Sequence, residues 1–501
     1  MRFARTSGVL LHPTSLPGPH GSGDFGAAAH HFVDWLVAAG QKLWQILPLG
    51  GIGPGNSPYM SPSAFAGNAL LIDLADLRTR GWLHDDEALP PHFDARRVAY
   101  ADVVPWRLSR LERAAERFAA GGSRAGHAAC DDFCARHAGW LDDYALFMAL
   151  ADHHAGRPWC DWDAPLARRE PAALRHAAQR LAPRIAFHKF CQWRFHEQWL
   201  TLRRQANARG VHIVGDAPIY VAWHSAEVWA RQELFDLDAK GRPRVVAGVP
   251  PDYFSATGQR WGNPLYRWAR HADDCYAWWV ARIRHLLELV DIVRIDHFRG
   301  FAGYWEIPAA AETAVDGRWL PGPGAPLFKA IARALGPIPV IAEDLGVITP
   351  DVEALRKKFG LPGMCVLQFA FGDDSGNRYL PHYHQPDSVI YTGTHDNDTS
   401  VGWWKTASDK ERAQLRAYLD TDGAEIHWDL IRAACASVAD TAIYPLQDVL
   451  GLGSEHRMNL PGHAEGHWAW RFEWSQVQPQ HAERLAALAR IYGRDGTPMR
   501  P

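Results

Sequence analysis

The sequence predicts an α/β protein: a (β/α)8 TIM barrel with inserted, mainly helical subdomains and no separate C-terminal β domain. Three observations carry this. Eight short apolar runs alternate with helical stretches, and such alternation builds a parallel sheet. Charged residues gather at the C-terminal ends of those runs, where a barrel places its chemistry. Two long stretches, residues 75–180 and 222–266, interrupt the alternation and read as insertions after the second and third strands. The whole of residues 1–501 is expected to form one catalytic barrel. An open doubly wound sheet is the alternative for the same alternation.

The first strand is Gly8-Val-Leu-Leu-His12. The Pro-rich loop after it contains Gly21-x-Gly23-x-x-Gly26, formally a dinucleotide fingerprint. The loop separates those glycines from the strand, and no acidic residue ends the next strand to hold a ribose, so a nucleotide-dependent oxidoreductase has little support. A helix with Phe32, Trp35, Leu36 and Ala39 on one face stops at Gly40, and Leu43–Pro48 is the second strand. The 75–180 stretch is Ala-, Arg- and Asp-rich, with helical patches and no strand-like run. Its His153-His154 pair has no third ligand at helical spacing and reads as a surface pair. A stripe of Phe187, Phe190, Cys191, Phe195, Trp199 and Leu202 reads as core. His196-Glu197 begins like a zinc-protease helix, but Leu stands at position 200 and the motif fails. Val211–Asp216 is strand three and Asp291–Gly300 contains strand four. Pro339–Glu343, Cys365–Ala370, Ser388–Asp396 and Asp440–Pro445 follow as strands five to eight. Thr349 with Pro350 opens a helix that Gly360 closes.

Composition removes several function classes. A net charge of −3 gives no basic footprint for nucleic acid. No apolar run approaches a membrane span, and the N-terminus lacks the apolar region of a signal peptide. The seven cysteines form no Cys-x-x-Cys pair, which fits reduced thiols and a cytoplasmic home. The 23 Trp residues exceed usual frequency. Many would fill a large core; some would line a groove for a ligand with flat apolar faces, such as a sugar.

The strand ends make a constellation. Asp216 ends strand three, Arg294 and Asp296 strand four, Glu343 strand five, and His395 and Asp396 strand seven. Arg294 and Asp296 are two apart on a strand and point to one side. A cation there holds a carboxylate ionised, fit for a nucleophile; the plain alternative is a structural Arg–Asp pair. Four carboxylates at one mouth repel phosphate. They suit hard cations, but suit glycosidic-bond chemistry better, where two carboxylates act and others hold hydroxyls.

The ordered motifs resemble the amylomaltases, the 4-α-glucanotransferases of the α-amylase superfamily, over nearly the whole chain. They are His12-Pro-Thr-Ser-Leu-Pro17, Ser57-Pro-Tyr59, Gly215-Asp-Ala-Pro-Ile219, Gly248-Val-Pro-Pro-Asp-Tyr-Phe-Ser255, Gln259-Arg-Trp-Gly-Asn-Pro264, Arg294-Ile-Asp-His-Phe-Arg-Gly300, Ile341-Ala-Glu-Asp-Leu-Gly346, Thr394-His-Asp-Asn-Asp398 and Arg457-Met-Asn-Leu-Pro-Gly462. The resemblance implies Asp296 as nucleophile, Glu343 as general acid/base and Asp396 as the carboxylate that stabilises the transition state. It implies sugar contacts from Ser57, Tyr59, Asp216, Tyr253, Gln259, Trp261, Arg294, His395 and Asn459, and a lid at Pro250–Phe254. Only the motif selects Glu343 over the adjacent Asp344. His467 stands where the family pattern has Asn, so no role is assigned there, and no separate glucan-binding module is expected. The implied substrates are α-1,4-glucans and maltooligosaccharides, with no cofactor and no metal, and with neither nucleic acid nor membrane as partner. The implied activity is segment transfer by a retaining double displacement. A hydrolase of the same fold, or a binding protein with dead machinery, are the competing readings; the three intact carboxylates argue against the latter.

Overall fold

Eight short strands run parallel around one core: β1 Thr6–Leu10, β2 Leu43–Gln45, β3 His212–Pro218, β4 Ile292–Asp296, β5 Val340–Ala342, β6 Gly363–Val366, β7 Ser388–Tyr391 and β8 Thr441–Pro445. This is a computed structural model, which describes residues 3–251, 255–463 and 465–496. The strand order is β6-β7-β8-β1-β2-β3-β4-β5, all pairs parallel. The two ends of that order meet where Ala342 N–H donates to the Pro362 carbonyl, 2.9 Å, just ahead of β6. The sheet is therefore a nearly closed (β/α)8 barrel. Its strands are apolar on both faces because helices cover the outside and side chains fill the inside. Val9, Ile213, Val293, Val340, Val389 and Ile443 are buried accordingly.

The first barrel helix, Ala27–Ala38, buries Phe32, Trp35 and Leu36 and ends before Gly40, whose φ of +67° suits a residue without a Cβ. Between β2 and β3 the chain is helical, with long helices at Tyr100–Gly121, Arg124–His153 and Ala182–Ala208. No described helix is long and apolar enough to cross a membrane.

Three features differ from the sequence expectation. Strand six stops at Val366 and continues as a single turn, Leu367–Phe369. Strand seven stops at Tyr391, and His395 and Asp396 sit on the loop beyond it. The Asn397 side chain accepts from the Thr394 N–H and hydroxyl, at 2.9 and 2.8 Å, and this local turn takes over from the ladder. The third difference is a four-stranded antiparallel sheet, in the order Gln259–Pro264, Val245–Val249, Gly303–Pro308, Arg318–Pro321. Two of its strands lie in the 222–266 stretch and two follow β4. The Gly, Pro, Asn and Arg of Gln259–Pro264 hide that strand from a reading by β propensity. In addition, His154 is buried and stacks on Trp162 rather than lying on the surface.

Candidate active site at the barrel mouth

The site starts from a register. Asp216 of β3 pairs directly with Arg294 of β4, and Pro218 with Asp296. Neighbours in a parallel ladder point to the same face, so Asp216, Arg294 and Asp296 share the inner side of the barrel. Arg294 Nη1 lies 2.7 Å from each Asp216 oxygen and 3.0 Å from Asp296 Oδ1. The Asp216 side chain is fully buried and the Asp296 side chain is 29% exposed. One guanidinium thus neutralises an inner carboxylate and leans on an outer one that reaches the cleft. The Tyr59 hydroxyl also donates to Asp216, at 2.7 Å. Burial and the nearby carboxylates hold that phenol well above its ordinary pKa, so it remains a donor.

Glu343 directly follows β5. Its Oε2 accepts from His297 N–H at 2.6 Å and its Oε1 from Leu345 N–H at 2.8 Å. These bonds fix the carboxyl group, and His297 takes φ +53° to make its own. Burial first, and then the charge of Asp296, push the Glu343 pKa up; Arg294 and the two backbone bonds oppose this and lose. Burial also raises Asp296, where Arg294 pulls down and Asp216 and Asp396 push up, and it remains below Glu343. The pair is therefore poised with the proton on Glu343 and the charge on Asp296. Adjacent Asp344 faces away: it binds Met364 N–H at 2.7 Å and Arg356 at 3.1 Å. A Cβ on Gly363 would fall 2.5 Å from its carboxylate, so glycine there makes room for this structural acid.

Asp396 arrives on the loop after β7. Asn459 donates to its Oδ1 at 2.6 Å, His395 Nε2 lies 3.4 Å from the same atom, and Arg457 donates to its backbone carbonyl. Arg457 Nε also donates to the Asn459 carbonyl at 2.5 Å within its own segment, and the Asn459 N–H donates to the His395 carbonyl at 3.1 Å, which ties the 457–459 segment to the 394–398 loop. Beside them stand three rings. Tyr59 stacks on His395 with centroids 5.2 Å apart, and Trp468 lies 5.6 Å from Tyr59 and 5.8 Å from His395.

The remaining expected contacts fall into two groups. Ser57 caps the turn Pro58–Met60, accepting from Tyr59 N–H at 3.2 Å, so it positions Tyr59. Gln259 accepts from the Trp261 indole at 3.1 Å, and Trp261 meets His297 edge to face at 4.8 Å. The antiparallel sheet thereby reaches the residue next to Asp296. Tyr253 lies outside the described residues, as does Asp252–Phe254 of the expected lid. Sequence reading missed Trp468 and His297. Both take positive φ, at +62° and +53°. Burial and Arg299 push His297 down to about 3, so a neutral imidazole sits beside Glu343.

A parallel barrel whose mouth holds a neutral acid, an ionised carboxylate, a third carboxylate on an orienting amide, and flanking aromatic rings defines a class: an enzyme of glycosidic-bond chemistry. The particular family follows from comparison. The family model for 4-alpha-glucanotransferase matches residues 11–477, and the chain belongs to that family. It is 52% identical to a 4-alpha-glucanotransferase of Thermus thermophilus over 497 residues, 98% of this chain and 99% of the relative. It is 48% identical to one from Synechocystis over 98% of both chains. Among solved structures, the amylomaltase from Streptococcus agalactiae in complex with acarbose superposes with a TM-score of 0.95 at 40% identity, covering 98% of this chain and 99% of that one. An amylomaltase from Corynebacterium glutamicum, at 19% identity and a TM-score of 0.79, shares the fold.

Proposed function

We propose that this protein is a 4-α-glucanotransferase that moves α-1,4-glucan segments between maltooligosaccharides by a retaining double displacement. The observation that carries the mechanism is the placement of two carboxyl groups, Asp296 beside Arg294 at 3.0 Å and Glu343 fixed by the His297 and Leu345 N–H groups. Asp296 attacks the anomeric carbon of the donor while Glu343 gives its proton to the departing glycosidic oxygen. The bond to the leaving segment breaks as the bond to Asp296 forms. Glu343, now ionised, takes the proton from the acceptor 4-hydroxyl, which displaces Asp296 and restores the α-linkage. Asp396, oriented by Asn459, carries negative charge beside the oxocarbenium-like transition state. Tyr59, His395 and Trp468 offer faces and polar tips to a sugar ring, and Trp261 is a further wall.

The competitor for the acceptor is water. Water at ~55 M against an acceptor at ~1 mM leads by roughly 10⁴–10⁵, so the bound glucan needs about 6–7 kcal/mol of positioning, within the reach of an oriented nucleophile. The test is maltotriose as sole substrate, with products separated by chromatography and reducing ends counted. The expected result is glucose plus a ladder longer and shorter than maltotriose, with little gain in reducing ends. A steady rise in reducing ends with nothing longer than maltotriose would leave the hydrolase.

A further inference from the structure

Behind the loop that carries Tyr59, three helices bring histidines together: His137 from Arg124–His153, His196 from Ala182–Ala208 and His285 from Ala277–Leu289. Their ring centroids lie 5.1 Å (His137–His196), 5.5 Å (His196–His285) and 6.1 Å (His137–His285) apart. Glu288 joins them one turn beyond His285 on the same helix face. Donor atoms of His137, His285 and Glu288 all lie within 4.8 Å of one another.

Two hydrogen-bonding facts set this cluster apart from packed rings. His285 Nε2 is 2.7 Å from the Phe65 carbonyl, which accepts only, so Nε2 carries the proton. In the neutral ring, Nδ1 then presents a lone pair, and 3.7 Å away stands Glu288 Oε2, another acceptor. Two acceptors face each other across a gap of the size that two donors on one tetrahedral zinc span, about 3.4 Å from bond lengths near 2.1 Å. A histidine tied through one nitrogen to a backbone carbonyl is also the usual support of a metal-ligating imidazole. The second fact is His196 Nε2. It is buried without a hydrogen-bond partner among the described residues, and its ring lies against both other histidines. His137 Nδ1 takes only a long 3.4 Å contact from the Trp140 indole, too long to lock its tautomer.

We infer that His137, His285 and Glu288 form a three-donor site for a divalent transition metal of the zinc type. Two imidazoles and one carboxylate suit Zn²⁺ or Co²⁺ better than Ca²⁺ or Mg²⁺, which take oxygen. The half-exposed Glu288 side chain is the arm free to close on the ion. A metal here clips two helices together and, through the Phe65 carbonyl, braces the segment that leads from Tyr59 to Gly67.

The full-length chain, dialysed against chelator, is titrated with Zn²⁺ by calorimetry and with Co²⁺ by visible absorption. One equivalent of Zn²⁺ is expected, with the intense bands of four-coordinate Co²⁺ and a melting temperature that rises with zinc. Glu288→Gln and His137→Gln, both on incompletely buried side chains, are expected to lose about 10–100-fold in affinity, while His153→Gln leaves it unchanged. Absence of stoichiometric binding by the wild-type chain, or binding that neither variant weakens, would overturn the site.

Discussion

Replacing Arg294 by Met separates two roles that the structure gives this residue. It lies 2.7 Å from the buried Asp216 and 3.0 Å from Asp296. A unit charge at 3.0 Å in a medium of effective dielectric 20 is worth about 5 kcal/mol, or about 4 pKa units. Asp296 is 29% exposed to the cleft, and water there reduces this to roughly half, about 2 units. The sign is upward: Arg294 lowers the Asp296 pKa, so its loss raises it, and the ionised nucleophile disappears at a higher pH. The acid limb of kcat/KM for maltotriose disproportionation should therefore move up by about 2 units, with activity at pH 5.5–6 falling roughly 100-fold. Removing the cation also strands Asp216, a loss of about 3–5 kcal/mol in stability. The double variant Arg294→Met/Asp216→Asn removes the stranded charge and should recover melting temperature; because Asp216 itself pushes Asp296 up, but by less than Arg294 pulls it down, the acid limb should fall back part of the way and stay above that of the wild type. A folded double variant with the wild-type acid limb would make Arg294 a purely structural partner of Asp216, and the proposed tuning of Asp296 would be wrong.

Three further outcomes follow from the same geometry. Glu343→Gln should lose about 10²–10⁴-fold on maltotriose but far less in kcat/KM for α-maltosyl fluoride, which reports formation of the adduct with a leaving group that needs no proton, and its alkaline limb should vanish, since in the wild type activity is lost as pH rises through the elevated Glu343 pKa. Asn459→Ala removes the 2.6 Å bond to Asp396 and should lower kcat by about 10–100-fold with KM little changed, as steady-state kinetics would show. Trp199→Ala empties a fully buried ring whose indole binds the Leu289 carbonyl at 2.8 Å, and urea unfolding should show a loss of about 3–5 kcal/mol.

The barrel was legible because its strands are short apolar runs that end in charge. β4 is the clearest case: Ile292, Val293 and Ile295 make the strand, and Arg294 and Asp296 share the face that meets the cleft. Glu343 was legible only through its motif. Asp344 is equally acidic and turns to Arg356, and nothing in two adjacent carboxylates tells which one a barrel faces inward. The Asp216–Arg294 bond depends on the register of two strands 78 residues apart. Trp468 reaches Tyr59 and His395 from a loop near the C-terminus at positive φ, a placement set by tertiary contacts. The antiparallel sheet escaped because Gln259-Arg-Trp-Gly-Asn-Pro264 has no strand composition; it is held by Val245–Val249 alongside it. The histidine cluster draws one ring from each of three helices, and no spacing along one helix reveals it.

The central claim is that the transferred glucan passes through a covalent bond to Asp296. The most direct measurement uses Glu343→Gln with α-maltosyl fluoride: the activated donor glycosylates the nucleophile, and loss of the base slows release. Acid quenching, proteolysis and peptide mass spectrometry then locate the sugar. The account predicts a maltosyl adduct on Asp296, within the peptide that spans β4, discharged when maltose is added as acceptor. An adduct on Asp396, or turnover of the fluoride to β-maltose with no adduct at any time, would contradict it.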